Sequence, residues 1–497
     1  MDNAKIYRLK QFYTNNNSEY SLDDITFNDL NLNDIFEKID YTVSSLGEEV
    51  LYGMLRQPLT DIEKINLRKE YIDEYSKNIN HTNNIQKELK KLSKLKKYSI
   101  FEYLYSLDDI KVLSLFKQYK AALLMIISLA LMLYNVSFGL LVSVIVYFYN
   151  SIIYFKLKKD VEPYFICIAY LSKAVSIGNK IDKINKEDLK DIKFLKYSSL
   201  LLGTLSGQTV NGGSGNPLDV LLSLFKLGFH IDITRFYSLV NKVKINRNKI
   251  NDYLIKLGYI DAYISIVTFR NKALYYSIPD FDNKNEINIL EGYHLLNQSP
   301  VPNTIYIKNS ILLTGSNASG KSTFLRMVAV NLVLAQSILT TLTKKYEAGI
   351  FKMISAMSVV DSINKQESYY MAEIKAIKRI IDLANDSNVN VICFIDEVLK
   401  GTNTKERIAA STKLLEYLDE NCLCIAATHD LELTKLLKDK YYNYHFAEEM
   451  IDEDVKFSYL LMDGPSDTTN AIKLLEQIGF PKSITDGAYE IINKNNI

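Results

Sequence analysis

The chain has 497 residues, of which 47% are apolar and 24% charged, enough apolar material for a sizeable core and enough length for two or three domains. Lys plus Arg number 59 against 58 for Asp plus Glu, which excludes a global basic footprint for nucleic acid, so any DNA contact must come from local patches. Cys167, Cys393, Cys422 and Cys424 form no C-x-x-C pair, and they read as buried small hydrophobes rather than metal ligands or disulfides. The polar, charged stretch Met1 to Phe12 is unlike a cleavable signal peptide.

In chain order, residues 1–21 read as a polar tail, and residues 22–120 follow a helical pattern. Within that region the helix around residues 42–59 stops at Gln57-Pro58-Leu59, and Thr60 is the expected cap of the next helix. Between Lys87 and Lys97 six lysines interleave with Leu89, Leu92 and Leu95, which predicts a basic amphipathic helix. Such a helix can be an ordinary solvated face, or it can meet DNA phosphate or anionic lipid.

Residues 121–155 contain no charge over thirty-five positions. A spanning helix needs about 20 residues, so this run is too long for one and slightly short for two. Asn135 to Gly139 read as a central turn, with Lys117 and Lys120 on one flank and Lys156, Lys158 and Lys159 on the other. These features together predict a transmembrane helical hairpin with both ends in the cytoplasm. The competing reading is a long buried hairpin of a soluble core. Residues 156–259 read as helices again, interrupted by a glycine-rich turn from Gly203 to Gly215. From about residue 260 strands and helices alternate, as in a mostly parallel α/β domain.

The chemistry concentrates in that last region. The apolar strand Ile311 to Thr314 runs into Gly315, Ser316, Asn317, Ala318, Ser319, Gly320, Lys321 and Ser322, and a helix follows from Thr323. This is G-x-x-x-x-G-K-[ST] in a strand–loop–helix setting. Its backbone N–H groups suit phosphate oxygens, Lys321 the β- and γ-phosphates, and the Ser322 hydroxyl Mg²⁺. A second apolar run, Val391 to Ile395, ends in Asp396 and Glu397, with Asp396 suited to Mg²⁺ and Glu397 to taking a proton from attacking water. A third, Cys424 to Thr428, ends in His429, a candidate γ-phosphate sensor. His81, His230, His294 and His445 have no such setting.

Three stretches together resemble the MutS family. Thr314 to Arg326 is similar to its T-G-x-N-x-x-G-K-S-T-[FY]-x-R, Asp396 to Thr404 to its D-E-x-x-x-G-T-[SN]-T, and Ala427 to Leu433 to its A-T-H-x-x-E-L. Weaker likenesses run from residue 20 to the end, among them Gly47, Glu291 to His294, Val301-Pro302-Asn303, Tyr459 and Gly479-Phe480-Pro481.

The resemblance implies a Mg²⁺-dependent ATPase acting as a homodimer with shared ATP sites, bound to double-stranded or branched DNA. It implies a core and lever domain (22–120 and 156–259) interrupted by the hairpin, an ABC-type ATPase domain (260–464) and a helical dimerisation segment (465–497). Ser368 is the residue that would reach the other subunit's γ-phosphate, although the glycine expected near Gln366 is missing. Val301 and Tyr459 are the positions that would hold the adenine. About twenty residues precede the matched core, so the motor is expected without the family's mismatch reader. A rival reading is an ABC-type membrane ATPase or a remodelling or scaffold protein with no DNA role.

Overall fold

The computed structural model describes every residue except 17, 97, 111–114, 186–223, 283, 317–318, 358–368, 387–388, 400–402, 452–453, 467–471, 473–474, 477 and 496–497. The expected turn at 203–215 therefore lies outside the described residues. The chain divides into two compact units. One comprises Met1–Asn17, Tyr41–Gly53 and Glu74–Ser265; the other comprises Ser18–Asp40, Met54–Asp73 and Ile266–Ile497.

The first unit is helical. Residues 1–21 are not the expected polar tail. Asp2 caps a helix, Asn3–Asn15, by accepting from the Lys5 N–H, and Arg8, Leu9 and Phe12 are buried along it. A buried guanidinium needs anionic partners, and Arg8 pairs with Glu48 and lies 3.3 Å from Glu49. Burial pushes the Glu49 carboxyl up to about 8. Burial acts the same way on Glu48, but Arg8, Lys94 and Lys5 outweigh it and hold that carboxyl at about 2.

The basic amphipathic helix expected to reach Lys97 ends earlier: it spans Ile79–Lys90. Ser93, at φ 60°, turns the chain. Two of the lysines beyond the helix meet acids instead, Lys91 pairing with Glu88 and Lys94 lying 3.1 Å from Glu48. A smaller correction concerns the helix Ile62–Lys77, where Asp61 rather than Thr60 caps the first turn by accepting from the Glu63 N–H at 2.8 Å.

The helix Ser45–Arg56 begins over Asp261. That carboxylate accepts from the Val43 N–H at 3.1 Å, the Ser44 N–H at 2.8 Å and the Ser44 hydroxyl at 2.5 Å. Gly47 makes room for it, because a Cβ there would lie 2.3 Å from Asp261 Oδ2. Gly47→Ala is expected to destabilise the protein by about 1–3 kcal/mol, the usual cost of overpacking. The measurement is the urea midpoint by circular dichroism, with Gly487→Ala as control, since a Cβ at Gly487 meets nothing within 4 Å. Equal midpoints for the two variants would show that the Asp261 cradle yields freely.

The uncharged stretch forms two antiparallel helices, Leu115–Ala130 and Val136–Asn185. The second is one unbroken helix of 50 residues rather than a hairpin leg followed by a separate helix. Among the described residues only its segment Val136–Lys159, of mean hydropathy 1.9, is long and apolar enough to cross a membrane. The partner leg's apolar stretch, Tyr119–Leu133, is shorter, so one helix rather than the expected two passes for a full span. The turn also differs. Asn135 caps the second helix by accepting from the Phe138 N–H at 3.1 Å, and Gly139 lies inside the helix. Gly139 is needed for close approach: a Cβ there would be 2.4 Å from the Met132 backbone nitrogen. Only 17% of the apolar window is buried, and Ile126, Leu133, Leu141, Ile145, Phe148 and Ile152 are all exposed.

The second unit is α/β. Its larger sheet has the order β10-β9-β4-β8-β7-β6. These strands are β4 Ile311–Thr314, β6 Lys352–Ala356, β7 Val391–Asp396, β8 Leu423–Ala427, β9 Tyr442–Ile451 and β10 Asp454–Asp463. Neighbours from β9 to β6 run parallel, and β10 is antiparallel to β9. Strands β4, β7 and β8 are almost wholly buried, as expected of central strands covered on both faces. A smaller sheet joins β1 Asp280–Phe281, β5 Lys345–Ala348, β2 Ile287–Gly292 and β3 Asn303–Ile307 in that order. The fold class is therefore a helical unit with an α/β unit, as the sequence suggested.

Candidate functional site

Register places three strand ends side by side. Leu313 pairs with Ala427 and Ala427 pairs with Asp396, so β4, β8 and β7 finish together at the carboxyl edge of the sheet. That edge is where ligands sit in open α/β folds. A cavity of about 750 Å³ opens there, lined on one side by Ser316, Ser319, Gly320, Lys321, Ser322 and Thr323. Asp396, Glu397, His429 and Tyr459 line it as well.

The loop after β4 turns through Gly315 at φ 140° and Gly320 at φ 111°, backbone states that favour glycine. The helix Lys321–Ile338 starts from the loop, and Lys321 Nζ donates to the carbonyls of Gly315 and Ser316 at 2.8 Å each. The buried ammonium is thus held over the loop at the helix N-terminus, where the dipole favours an anion. Asn317 and Ala318 of this loop lie outside the described residues, and so does Ser368.

Past β7 the backbone of Glu397 is left-handed, φ 64°, a state costly for a residue with a Cβ. Its N–H donates to the Ala427 carbonyl at 3.0 Å, which holds the turn. The Glu397 carboxylate then lies 2.6 Å from His429 Nε2. After β8 the Thr428 N–H donates to the Leu313 carbonyl at 2.9 Å, so His429 is fixed to the strand that feeds the glycine loop. Asp430 anchors the far side, its two oxygens taking Arg407 Nε at 2.9 Å and Nη2 at 2.6 Å. The Asp430 carboxylate raises the Arg407 pKa above its ordinary value.

At the other end of the cavity a single asparagine joins two distant segments. Asn303 Nδ2 donates to the Tyr459 carbonyl at 3.0 Å, and its Oδ1 accepts from the Leu461 N–H at 2.8 Å. The β9–β10 register shifts at that point, between Phe457 and Leu461, and Tyr459 takes φ 56°. The bulge turns the Tyr459 ring over the glycine loop, so that a Cβ at Gly320 would be 3.1 Å from Tyr459 Cδ1. Val301 also lines the cavity.

His294, which had no functional setting in the sequence, lines the cavity too. Burial, with Arg326 nearby, lowers its pKa to about 4, so it is neutral at pH 7. Asn303 and His294 were visible only as parts of weak motifs, with no local pattern giving either a role. Among the described residues no group of three or more His, Cys, Asp or Glu side chains is arranged to hold a metal. Mg²⁺ suits this donor set regardless, since it keeps several waters and takes one or two protein oxygens beside phosphate.

The three sequence stretches with chemistry thus meet at one cavity, and comparison with known proteins bears on what they are. The model of the family MutS domain V matches residues 311–496. The DNA mismatch repair protein MutS of Rickettsia canadensis is 23% identical over 530 residues, covering 93% of this chain and 58% of that protein. Residues 311–496 thus match MutS domain V, and nearly the whole chain aligns with a MutS protein. The DNA mismatch repair protein MutS of Streptococcus pyogenes serotype M1 is 30% identical over 273 residues, 52% of this chain and 32% of its own length. The chain therefore spans 32% to 58% of the length of these relatives.

Proposed function

We propose that this chain is a MutS-like ATPase that couples ATP binding and hydrolysis to movement of its helices, acting on DNA from a membrane anchor. The observation that carries the reading is the convergence of the glycine loop, Asp396, Glu397 and His429 on one cavity at the sheet edge. The α/β part of the second unit then corresponds to an ABC-type P-loop domain (260–464), with residues 465–497 as the dimerisation segment. The helical residues 22–120 and 156–259 serve as core and lever.

In this reading the loop N–H groups and Lys321 hold the phosphates, exchanging the lysine's loop carbonyls for phosphate oxygens. Ser322 and Asp396 are the residues that would hold Mg²⁺, which when bound neutralises charge on the β- and γ-phosphates. Glu397 takes the proton of the attacking water. His429, hydrogen-bonded to Glu397, keeps that carboxylate aimed and can itself reach the γ-phosphate. Tyr459 and Val301 hold the base. The dimer would place Ser368 of one subunit at the nucleotide of the other.

The exposed apolar faces of residues 121–155 support a membrane-seated hairpin. A soluble monomer rarely leaves so large a contiguous apolar patch uncovered. The lysines at both flanks favour a tip facing away from the cytoplasm.

The test uses the purified chain in detergent with ATP and labelled duplex or branched DNA. Lys321→Ala is expected to abolish ATP binding. Mixing Lys321→Ala subunits with Ser368→Ala subunits should restore about one competent site per heterodimer, because each defect falls on a different side of a shared interface. ATP-dependent retention of DNA supports the DNA reading. ATP hydrolysis without any DNA binding favours the membrane ATPase alternative, and no recovery on mixing argues against shared sites.

A further inference from the structure

A third segment accompanies the apolar hairpin. Residues 224–229 are helical, and Gly228 rests against the long helix Val136–Asn185, with a Cβ built there only 3.2 Å from the Tyr147 ring. Four residues on, Asp232 Oδ2 accepts from the Tyr154 hydroxyl at 2.6 Å. The two segments therefore run side by side in the same order, with Gly228 beside Tyr147 of the uncharged stretch.

Asn150 locks the arrangement. Its buried Nδ2 donates to the Ala121 carbonyl at 3.0 Å and to the Gly228 carbonyl at 2.8 Å, tying both hairpin legs to the third segment. The short helix ends at His230, left-handed at φ 51°, whose N–H donates to the Lys226 carbonyl at 2.9 Å. Gly228 thus has a last-turn carbonyl that its own helix cannot satisfy, and Asn150 satisfies it. His230 Nε2 returns a bond of 2.8 Å to the Asn150 carbonyl. Satisfied backbone ends are required at the edge of hydrocarbon, as in any buried site. The outward side chains fit that setting: Leu224 and Phe225 are about half exposed, and Phe225 stacks on Phe229 at 5.6 Å.

We infer that residues 224–229 are a third membrane-contacting element, seated in the lipid interface beside the hairpin. Leu224 and Phe225 enter the acyl chains, and Lys226 extends its ammonium to the phosphates. The occupant is phospholipid, because Leu224 and Phe225 are exposed on a segment tied to the exposed apolar hairpin and a lysine follows them. This rests on the membrane reading given above.

The chain contains no tryptophan, so a single introduced one reports its own surroundings. The full chain would be placed in phosphatidylglycerol-containing vesicles whose acyl chains carry bromine, a contact quencher. Phe225→Trp keeps an aromatic ring on Phe229; Phe148→Trp reports the hairpin, and Tyr306→Trp the exposed face of β3. Quenching of Phe225→Trp to the same extent as Phe148→Trp, with Tyr306→Trp unaffected, is the expected result. Quenching at 148 without quenching at 225 would overturn the inference and leave the hairpin in the membrane. Quenching at neither would remove the membrane reading itself, and the third element with it. Near-ultraviolet circular dichroism matching the wild type confirms that each variant is folded before it is read.

Discussion

Glu397→Gln is expected to bind ATP as the unaltered protein does and to hydrolyse it about 10²–10⁴-fold more slowly, the usual worth of a general base. The substitution keeps size and shape. A glutamine Oε1 can still accept from His429 Nε2, so the 2.6 Å contact and the left-handed turn that aims the side chain are preserved. Only the ability to take a proton is lost. Phosphate release under saturating ATP and equilibrium nucleotide binding, measured on the same preparation, separate the two steps. Turnover equal to that of the unaltered protein would remove Glu397 from the mechanism. Loss of binding along with turnover would mean that the residue shapes the cavity and need not be the base.

The hairpin should carry the whole chain into the membrane fraction, resistant to high salt and released by detergent. Replacing Leu141, Ile145, Phe148 and Ile152 together with Asp is expected to move most of the protein to the high-speed supernatant. The four side chains are mostly exposed, so charging them removes little packing within the protein. Their burial in hydrocarbon contributes about 1.5–3 kcal/mol each, whereas an Asp at a helix centre costs about 2.5–3.5 kcal/mol in a bilayer. A cysteine at Ser137, near the tip, should react with an impermeant thiol reagent outside spheroplasts, and one at Lys159 should not. Recovery of the unaltered protein in the supernatant without detergent would make the hairpin a surface feature of a soluble chain.

The sequence by itself determined the parts whose physics is local. A glycine loop that must close around phosphate needs consecutive residues in special conformations, so Gly315 to Ser322 announce themselves without any partner. The buried strands ending in Asp396 and His429 are equally legible, because a short apolar run followed by a polar side chain can do little else. The uncharged run at 121–155 is likewise a property of consecutive residues.

Helix ends were less legible. Asp61 rather than Thr60 caps its helix, and the lysine-rich helix stops at Lys90, since neighbouring residues compete for a cap and distant acids such as Glu48 draw the lysines away. The reading of Gly139 as a turn failed for a related reason, as the space it leaves is used by Met132 on the facing leg.

Only the tertiary structure decided the contacts made between residues far apart in the chain. Asn303 reaches Tyr459 across 156 positions and sets the bulge that turns the ring over Gly320. His294 enters the cavity because β2 ends there, although its own neighbours give no hint of it. Asp261 requires Gly47 from more than two hundred residues away, and Asn150 gathers Ala121 and Gly228. A buried polar group must find a partner wherever the fold brings one, so these pairings follow from packing, and no spacing along the chain encodes them.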